Sequence, residues 1–188
     1  MIVEKILEET ILNLKNGKTI LYPTDTIWGI GCDATNEQAV DKIFFIKNRA
    51  ANKSFIILVD SIEMLSKYVQ YLPNFVIDFL NNSTLPTTLI LPANNTLAKN
   101  VISTENTVAI RICKDNFCNQ LIKNLGKPIV STSANISNQA NPTNFNTIDK
   151  KIIELVDYVV AYRQLENMNN LPSSIYKINA HNDFIQLR

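Results

Sequence analysis

The order of apolar and polar positions predicts an irregular succession of helices and strands. Val3, Ile6, Leu7, Ile11 and Leu14 lie along one side of a helix running from about Val3 to Asn16, and Gly17 stops it. KTILYP then reads as a strand closed by Pro23. In NEQAVDKIFFIKNR, residues Ala39, Val40, Ile43, Phe44 and Ile46 return to helical spacing, with Thr35 or Asn36 as the N-cap. SFIILVD is short and apolar enough for a buried strand. SIEMLSKYV and PNFVIDFL carry helical patterns, while TTLILP and TVAIRI carry strand patterns. NFCNQLIKNLG predicts a helix ending at Gly126, and KPIVSTSA another strand. The remainder gives a helix at TIDKKIIELV, a strand at DYVVAY and a polar loop. Two last strands, SSIYKI and DFIQLR, are joined by a turn at Asn182-Asp183.

This mixture predicts an α/β class with a twisted mixed sheet and helices packed around it. With 188 residues and no internal repeat, one domain over 1–188 is expected. Residues 138 to 146, NQANPTNFN, form the longest polar loop. No run reaches the ~18 apolar residues of a membrane span, and the charged N-terminal pattern is not that of a secretory segment. Cys32, Cys113 and Cys118 lack C-x-x-C spacing and His181 is the only histidine, which excludes a zinc site of the usual kind. Unpaired thiols fit a reducing interior, so a cytoplasmic location is expected. A formal net charge of +1 argues against nucleic-acid binding through net charge alone.

Four polar clusters stand out from this background. The first is YPTDTIWGIGCDA, whose Gly29, Gly31 and Ala34 satisfy G-x-G-x-x-G/A. In a dinucleotide fold the first glycine follows the strand almost at once, whereas here Pro23 to Trp28 intervene and the next helix begins near Asn36. A polar loop on a pocket rim fits better, with Thr24, Asp25 and Thr26 just after a strand end. A plain Asx/Thr turn is the structural alternative. The second is KNRAANK, where Lys47, Arg49 and Lys53 serve either as a solvated helix C-terminus or as a clamp for phosphates. Lysine far outnumbers arginine in this chain, so an arginine can mark a place that needs a planar, bidentate donor, although Arg163 and Arg188 also need explaining. In TVAIRI, alternation puts Val108, Ile110 and Ile112 on one face and Thr107, Ala109 and Arg111 on the other. A cation on a central strand needs an anion, either an internal carboxylate or that of a ligand. The fourth cluster, STSANIS, runs a strand into Ser131, Thr132, Ser133, Asn135 and Ser137, forming either an elaborate turn or a site lined with neutral donors and acceptors.

Together YPTDTIWGIGCDA, KNR with Lys53, TVAIRI, STSANIS, NPT and PSSI resemble, in order and spacing, the YrdC-type threonylcarbamoyl-AMP synthases. The resemblance covers essentially the whole chain and is to the short form without an extra C-terminal domain. It implies a YrdC-like (RibB-like) fold with a concave, positively charged cavity. It also implies an adenylyl transfer, in which L-threonine, bicarbonate or CO2 and ATP give threonylcarbamoyl-AMP and pyrophosphate. A threonylcarbamoyl-transferase machinery then modifies an adenosine beside the anticodon of tRNA. Mg2+ would accompany ATP, with no metal ligands from the protein and no acid, base or nucleophile assigned. By motif, Thr26, Arg111, Ser133 and Ser173 fall on the threonine side. Lys47, Arg49, Lys53, Thr107, Asn135 and Thr143 fall on the nucleotide side, and Arg188 is a candidate late nucleotide-binding arginine. Asp25 is expected to polarise or position its neighbours. Trp28, where the family often has tyrosine, is expected in a pocket wall, and Asn138 replaces a common glycine. The alternative is a double-stranded RNA or tRNA-binding module of the same fold without adenylating activity.

Overall fold

The computed structural model describes residues 2–49, 54–167, 172–179 and 181–188. Helix α1 (Ile2–Lys15) buries Leu7 and Leu14 and ends as predicted, with Gly17 left-handed at φ 71. Strand β1 (Ile20–Tyr22) follows, and then, after a loop at 23–28, β2 (Gly29–Asp33). Asn36 is the N-cap of α2 (Glu37–Lys47), its Oδ1 accepting from the Ala39 N–H at 3.1 Å. Thr35 instead donates to Asp33, which also takes the Lys127 ammonium at 2.6 Å.

Strand β3 (Ile56–Val59) leads to α3 (Ile62–Ser66), α4 (Asn74–Asn82), β4 (Thr87–Pro92) and β5 (Thr107–Ile112). The helix expected through SIEMLSKYV stops at Ser66, because Val69 turns away to bridge Ala93. Helix α5 (Asn116–Leu125) is capped by Asp115 and closed by Gly126 at φ 73. After β6 (Ile129–Ser133) come α6 (Lys150–Leu155), β7 (Tyr158–Val159), β8 (Ser174–Ile178) and β9 (Phe184–Gln186). The hairpin of β8 and β9 is antiparallel, with Asn182 at φ 64 in the turn.

Among the described residues the strands form one mixed sheet, ordered β7-β1-β2-β6-β3-β5-β4-β8-β9. Helices α1 and α5 pack on each other, and α1, α2 and α5 reach strands of the β1–β3 region. Register fixes which side chains share a face. Gly29 opposes Ser133, Gly31 opposes Ser131, Ile56 aligns with both Ser131 and Ala109, and Arg111 opposes Thr88. Period-two alternation therefore places Ser131, Ser133, Ile56, Ala109, Arg111 and Thr88 on one face, and the buried Val130, Ile57 and Ile110 on the other.

Strand β2 corrects the sequence reading, which placed Gly29 and Gly31 in a loop. Its two glycines are strand residues chosen by their neighbours. A Cβ on Gly31 would lie 2.6 Å from the Val130 carbonyl oxygen and 2.8 Å from Tyr22 Cε1. The Tyr22 ring, fully buried, fills the space that a side chain would need.

Lys47, in the last turn of α2, ties that helix to the end of β6. Its ammonium, on a side chain in a residue only 1% exposed, donates to Ser133 O at 2.5 Å, Asn135 O at 2.7 Å and Asn135 Oδ1 at 3.1 Å. Burial, with the like charge of Arg49, pulls its pKa down to about 7, against the three oxygens that favour the charged form.

Two outcomes follow from these contacts. Gly31→Ala should destabilise the fold by about 2 kcal/mol, lowering Tm by roughly 4–8 °C in a calorimetric melt. An unchanged Tm would contradict the close approach. For Lys47, the unfolded chain holds the proton up to ~10.4 while the folded chain releases it near 7. The unfolded state thus binds more protons across that window, so this residue makes stability rise with pH there. An NMR titration of the Lys47 ammonium should show its midpoint near 7, far below the exposed lysines.

Candidate functional site

Above the Ser131/Arg111 face of the sheet lies a cavity of about 360 Å³, of a size suited to small ligands. Its walls come from the 23–28 loop with Gly29 of β2, Arg49 just beyond α2, strands β3 to β6 and β8, and Arg188.

The loop after β1 is folded by Thr24, which is 1% exposed. Its Oγ1 accepts from the N–H groups of Thr26 (3.1 Å) and Ile27 (3.2 Å) and donates to Ile27 O (2.7 Å). The two hydroxyls also meet, Thr24 Oγ1 lying 3.0 Å from Thr26 Oγ1. Thr26 is thereby held at the cavity wall, where its hydroxyl can serve as donor or acceptor.

On β5, Arg111 is 4% exposed and lines the cavity. Both oxygens of Asp25 accept from its Nη1, at 2.8 and 2.9 Å, while its Nε is buried without a hydrogen-bond partner. The internal ion pair anticipated for this cation thus exists, and the guanidinium still faces the cavity. Ser133 donates to Asn135 Oδ1 at 2.5 Å, and Asn135 Nδ2 donates to Gln139 O at 2.6 Å. Ser173 Oγ and Thr88 Oγ1 are 2.8 Å apart.

Two more guanidiniums complete the wall. Arg49 Nη2 donates to Ser54 O at 2.8 Å, and the group lies 5.0 Å from the centre of the Phe55 ring. Burial lowers its pKa. Arg188 donates through Nε and Nη2 to Ser173 O, at 3.0 and 2.9 Å. Burial and the positive charge of Arg111 lower its pKa too, so these two cations stand close enough to repel. Among the described residues the lining holds these three arginines, several hydroxyls and no acidic side chain.

Of the residues singled out from sequence, Thr26, Arg49, Arg111, Ser133, Ser173 and Arg188 meet at this cavity. Lys47 and Asn135 lie behind its wall, each buried and bonded to the end of β6. Lys47 thus does not present its ammonium to the cavity as the motif suggested, because three oxygens of the Ser133–Asn135 turn surround it. Thr107 shares the Arg111 face of β5 but bonds Ser103 Oγ at 2.8 Å and lines a smaller neighbouring cavity of about 200 Å³. Thr143 is exposed, with its N–H on Thr147 Oγ1 at 3.1 Å. Lys53 lies outside the described residues. Trp28 is not a cavity wall: it is fully buried, its ring centre 5.1 Å from that of Phe145. Asn138 takes φ 69, the left-handed conformation expected where glycine is common.

Ser54, Asn141 and Thr88 were not singled out. Ser54 bonds through its backbone carbonyl and Asn141 sits in an irregular loop, positions that carry no sequence signal. Thr88 does carry one: a polar residue within an apolar strand, on the parity that faces Arg111. No group of three or more His, Cys, Asp or Glu side chains among the described residues could hold a metal ion. No helix among them is long and apolar enough to cross a membrane.

Comparison with known proteins agrees with this geometry. The Sua5/YciO/YrdC family, whose description reads "Telomere recombination", matches residues 13–188. A threonylcarbamoyl-AMP synthase of Riesia pediculicola is 36% identical over 155 residues, covering 80% of this chain and 82% of that protein. A putative threonylcarbamoyl-AMP synthase of Methanocaldococcus jannaschii is 35% identical over 178 residues, covering 93% of this chain and 81% of its own. Among solved structures, P. abyssi Sua5 complexed with L-threonine superposes with a TM-score of 0.88 at 26% identity, over 99% of this chain. The present chain spans about half, 54%, of that longer protein. E. coli YciO shares the fold, with a TM-score of 0.85 at 19% identity. With the match running through all the elements that build the cavity, this chain belongs to the Sua5/YciO/YrdC family.

Proposed function

We propose that this chain is an L-threonylcarbamoyladenylate synthase. The observation that carries the reading is the cavity itself: three arginines and several hydroxyls from distant segments, with no acidic side chain, histidine or cysteine in the described lining. The names of the curated relatives and the L-threonine in P. abyssi Sua5 support it.

The chemistry asks for such a site. Threonine's amine and bicarbonate condense to a carbamate with loss of water. A carbamate oxygen then attacks the α-phosphorus of ATP, and pyrophosphate leaves, giving threonylcarbamoyl-AMP. Two anions must be brought together, and their charge must be offset as the new P–O bond forms. Positioning and electrostatic stabilisation suffice for this. Magnesium enters with ATP as part of the substrate. Arg111 takes the threonine carboxylate, and Thr26, Ser133 and Ser173 supply neutral contacts around it. Arg49 and Arg188 face the phosphates, with Thr107 and Thr143 on the same nucleotide side and Lys53 in the segment following Arg49. Lys47 and Asn135 contribute by holding Ser133. The product passes, in the cytoplasm, to the machinery that modifies tRNA. An RNA-binding role without catalysis is less well supported, since the guanidiniums are half-buried or buried in a concave site rather than spread over a surface.

Purified protein with Mg-ATP and bicarbonate should release pyrophosphate only when L-threonine is added, with the adenylate identified by its mass. Threonine-independent release, or none, would sink the assignment. Arg49→Ala should raise the Kd for ATP by roughly 30-fold, the loss of about 2 kcal/mol from a partly buried charge-assisted contact, as read by calorimetry.

A further inference from the structure

Resting on that functional reading, we propose that Asp25 is a positioning residue that selects which edge of Arg111 receives the amino-acid carboxylate. Asp25 does not line the cavity, although its neighbours Thr24, Thr26 and Ile27 do. Its influence on a ligand must therefore run through the group that it holds. That group is Arg111, whose Nη1 lies 2.8 and 2.9 Å from the two Asp25 oxygens. The two oxygens of one carboxylate lie too close together to meet both protons of a planar Nη nitrogen, so they share one Nη1 proton, and Asp25 occupies the Nη1 end of the guanidinium.

The opposite edge, Nε with Nη2, is the side-on face of a guanidinium and matches a carboxylate with two parallel hydrogen bonds. Its Nε is buried and carries no hydrogen bond, an omission that is costly unless a ligand completes it. Ion pairing at one end thus leaves a directional receptor at the other. Without Asp25, a long arginine side chain on β5 could turn its end-on face to the cavity or withdraw from the neighbouring Arg188 charge. Asp25 thereby fixes both the angle and the depth at which the amino acid sits, and with them the distance of its amine from the reacting phosphate.

The test is a kinetic split with a mutant cycle, on the full chain. Asp25→Asn should raise the KM for L-threonine by roughly tenfold or more while the KM for ATP moves less than about twofold. In an Arg111→Lys background, which has no side-on edge, the same substitution should change kcat/KM for threonine by less than about twofold. If both KM values rise together, if the threonine KM stays put, or if the effect multiplies fully onto Arg111→Lys, the inference fails. Should Asp25→Asn lose its cooperative melt, Asp25→Glu, which keeps the charge but shifts it by a methylene, is judged by the same criteria. Wild-type protein with no threonine-dependent pyrophosphate release overturns the functional reading and this inference with it. An active wild type with the wrong split overturns the inference alone.

Discussion

A guanidinium on a central strand must be met by a negative charge, and the loop at 23–28 supplies it. The Arg111–Asp25 pair is buried on both sides, with the two side chains 4% and 14% exposed. Pairs of this kind add little net stability over apolar packing, yet removing one partner costs about 3–5 kcal/mol because a charge is left stranded. The pair therefore acts as a constraint. It joins the loop after β1 to β5, although β2, β6 and β3 lie between those strands in the sheet. The Thr24 turn and the Thr26 hydroxyl keep their places relative to Arg111 because of it.

The helices were legible in the sequence because their ends are written in local chemistry. Gly17, Asn36 and Gly126 act where they were read, as left-handed stops or a side-chain cap. Strand β2 was not legible, and the reason is tertiary. GIGCD offers neither an apolar run nor a clean alternation, and glycine ordinarily weakens a strand. Here the missing side chain makes room for Tyr22 and for close pairing with β6. DYVVAY likewise promised a longer strand than Tyr158–Val159. The pairing is limited by its short partner β1, after which one further bond runs from Val160 N–H to Leu21 O.

For the cavity, the sequence singled out several segments that line it but not the direction of each side chain. KNR shows why. Asn48, between Lys47 and Arg49, is the C-cap of α2 in the left-handed conformation at φ 47. The chain reverses there, sending Lys47 beneath the end of β6 and Arg49 to the cavity. Asparagine tolerates this conformation, so the cap itself was readable. The consequence for its two flanking cations depends on where β6 passes, which no local pattern records. Asn135 escaped for a similar reason: its carboxamide is already engaged by Lys47, Ser133 and Gln139.

Several polar groups of the wall are held by another polar group. Thr24 bonds Thr26 within the loop, Lys47 and Asn135 hold Ser133, Thr88 meets Ser173, and Asp25 holds Arg111. Such backing fixes donors and acceptors before any ligand arrives, so little reorganisation remains when charge develops. Arg188 is held in the same way, donating through Nε and Nη2 to Ser173 O, while burial and the positive charge of Arg111 lower its pKa. Each of these two cations is unfavourable to the other, and an anion that nears them offsets that repulsion. Neutral ligands bring no such gain. With no acidic side chain in the described lining to take its place, a negatively charged ligand is the one that this wall favours.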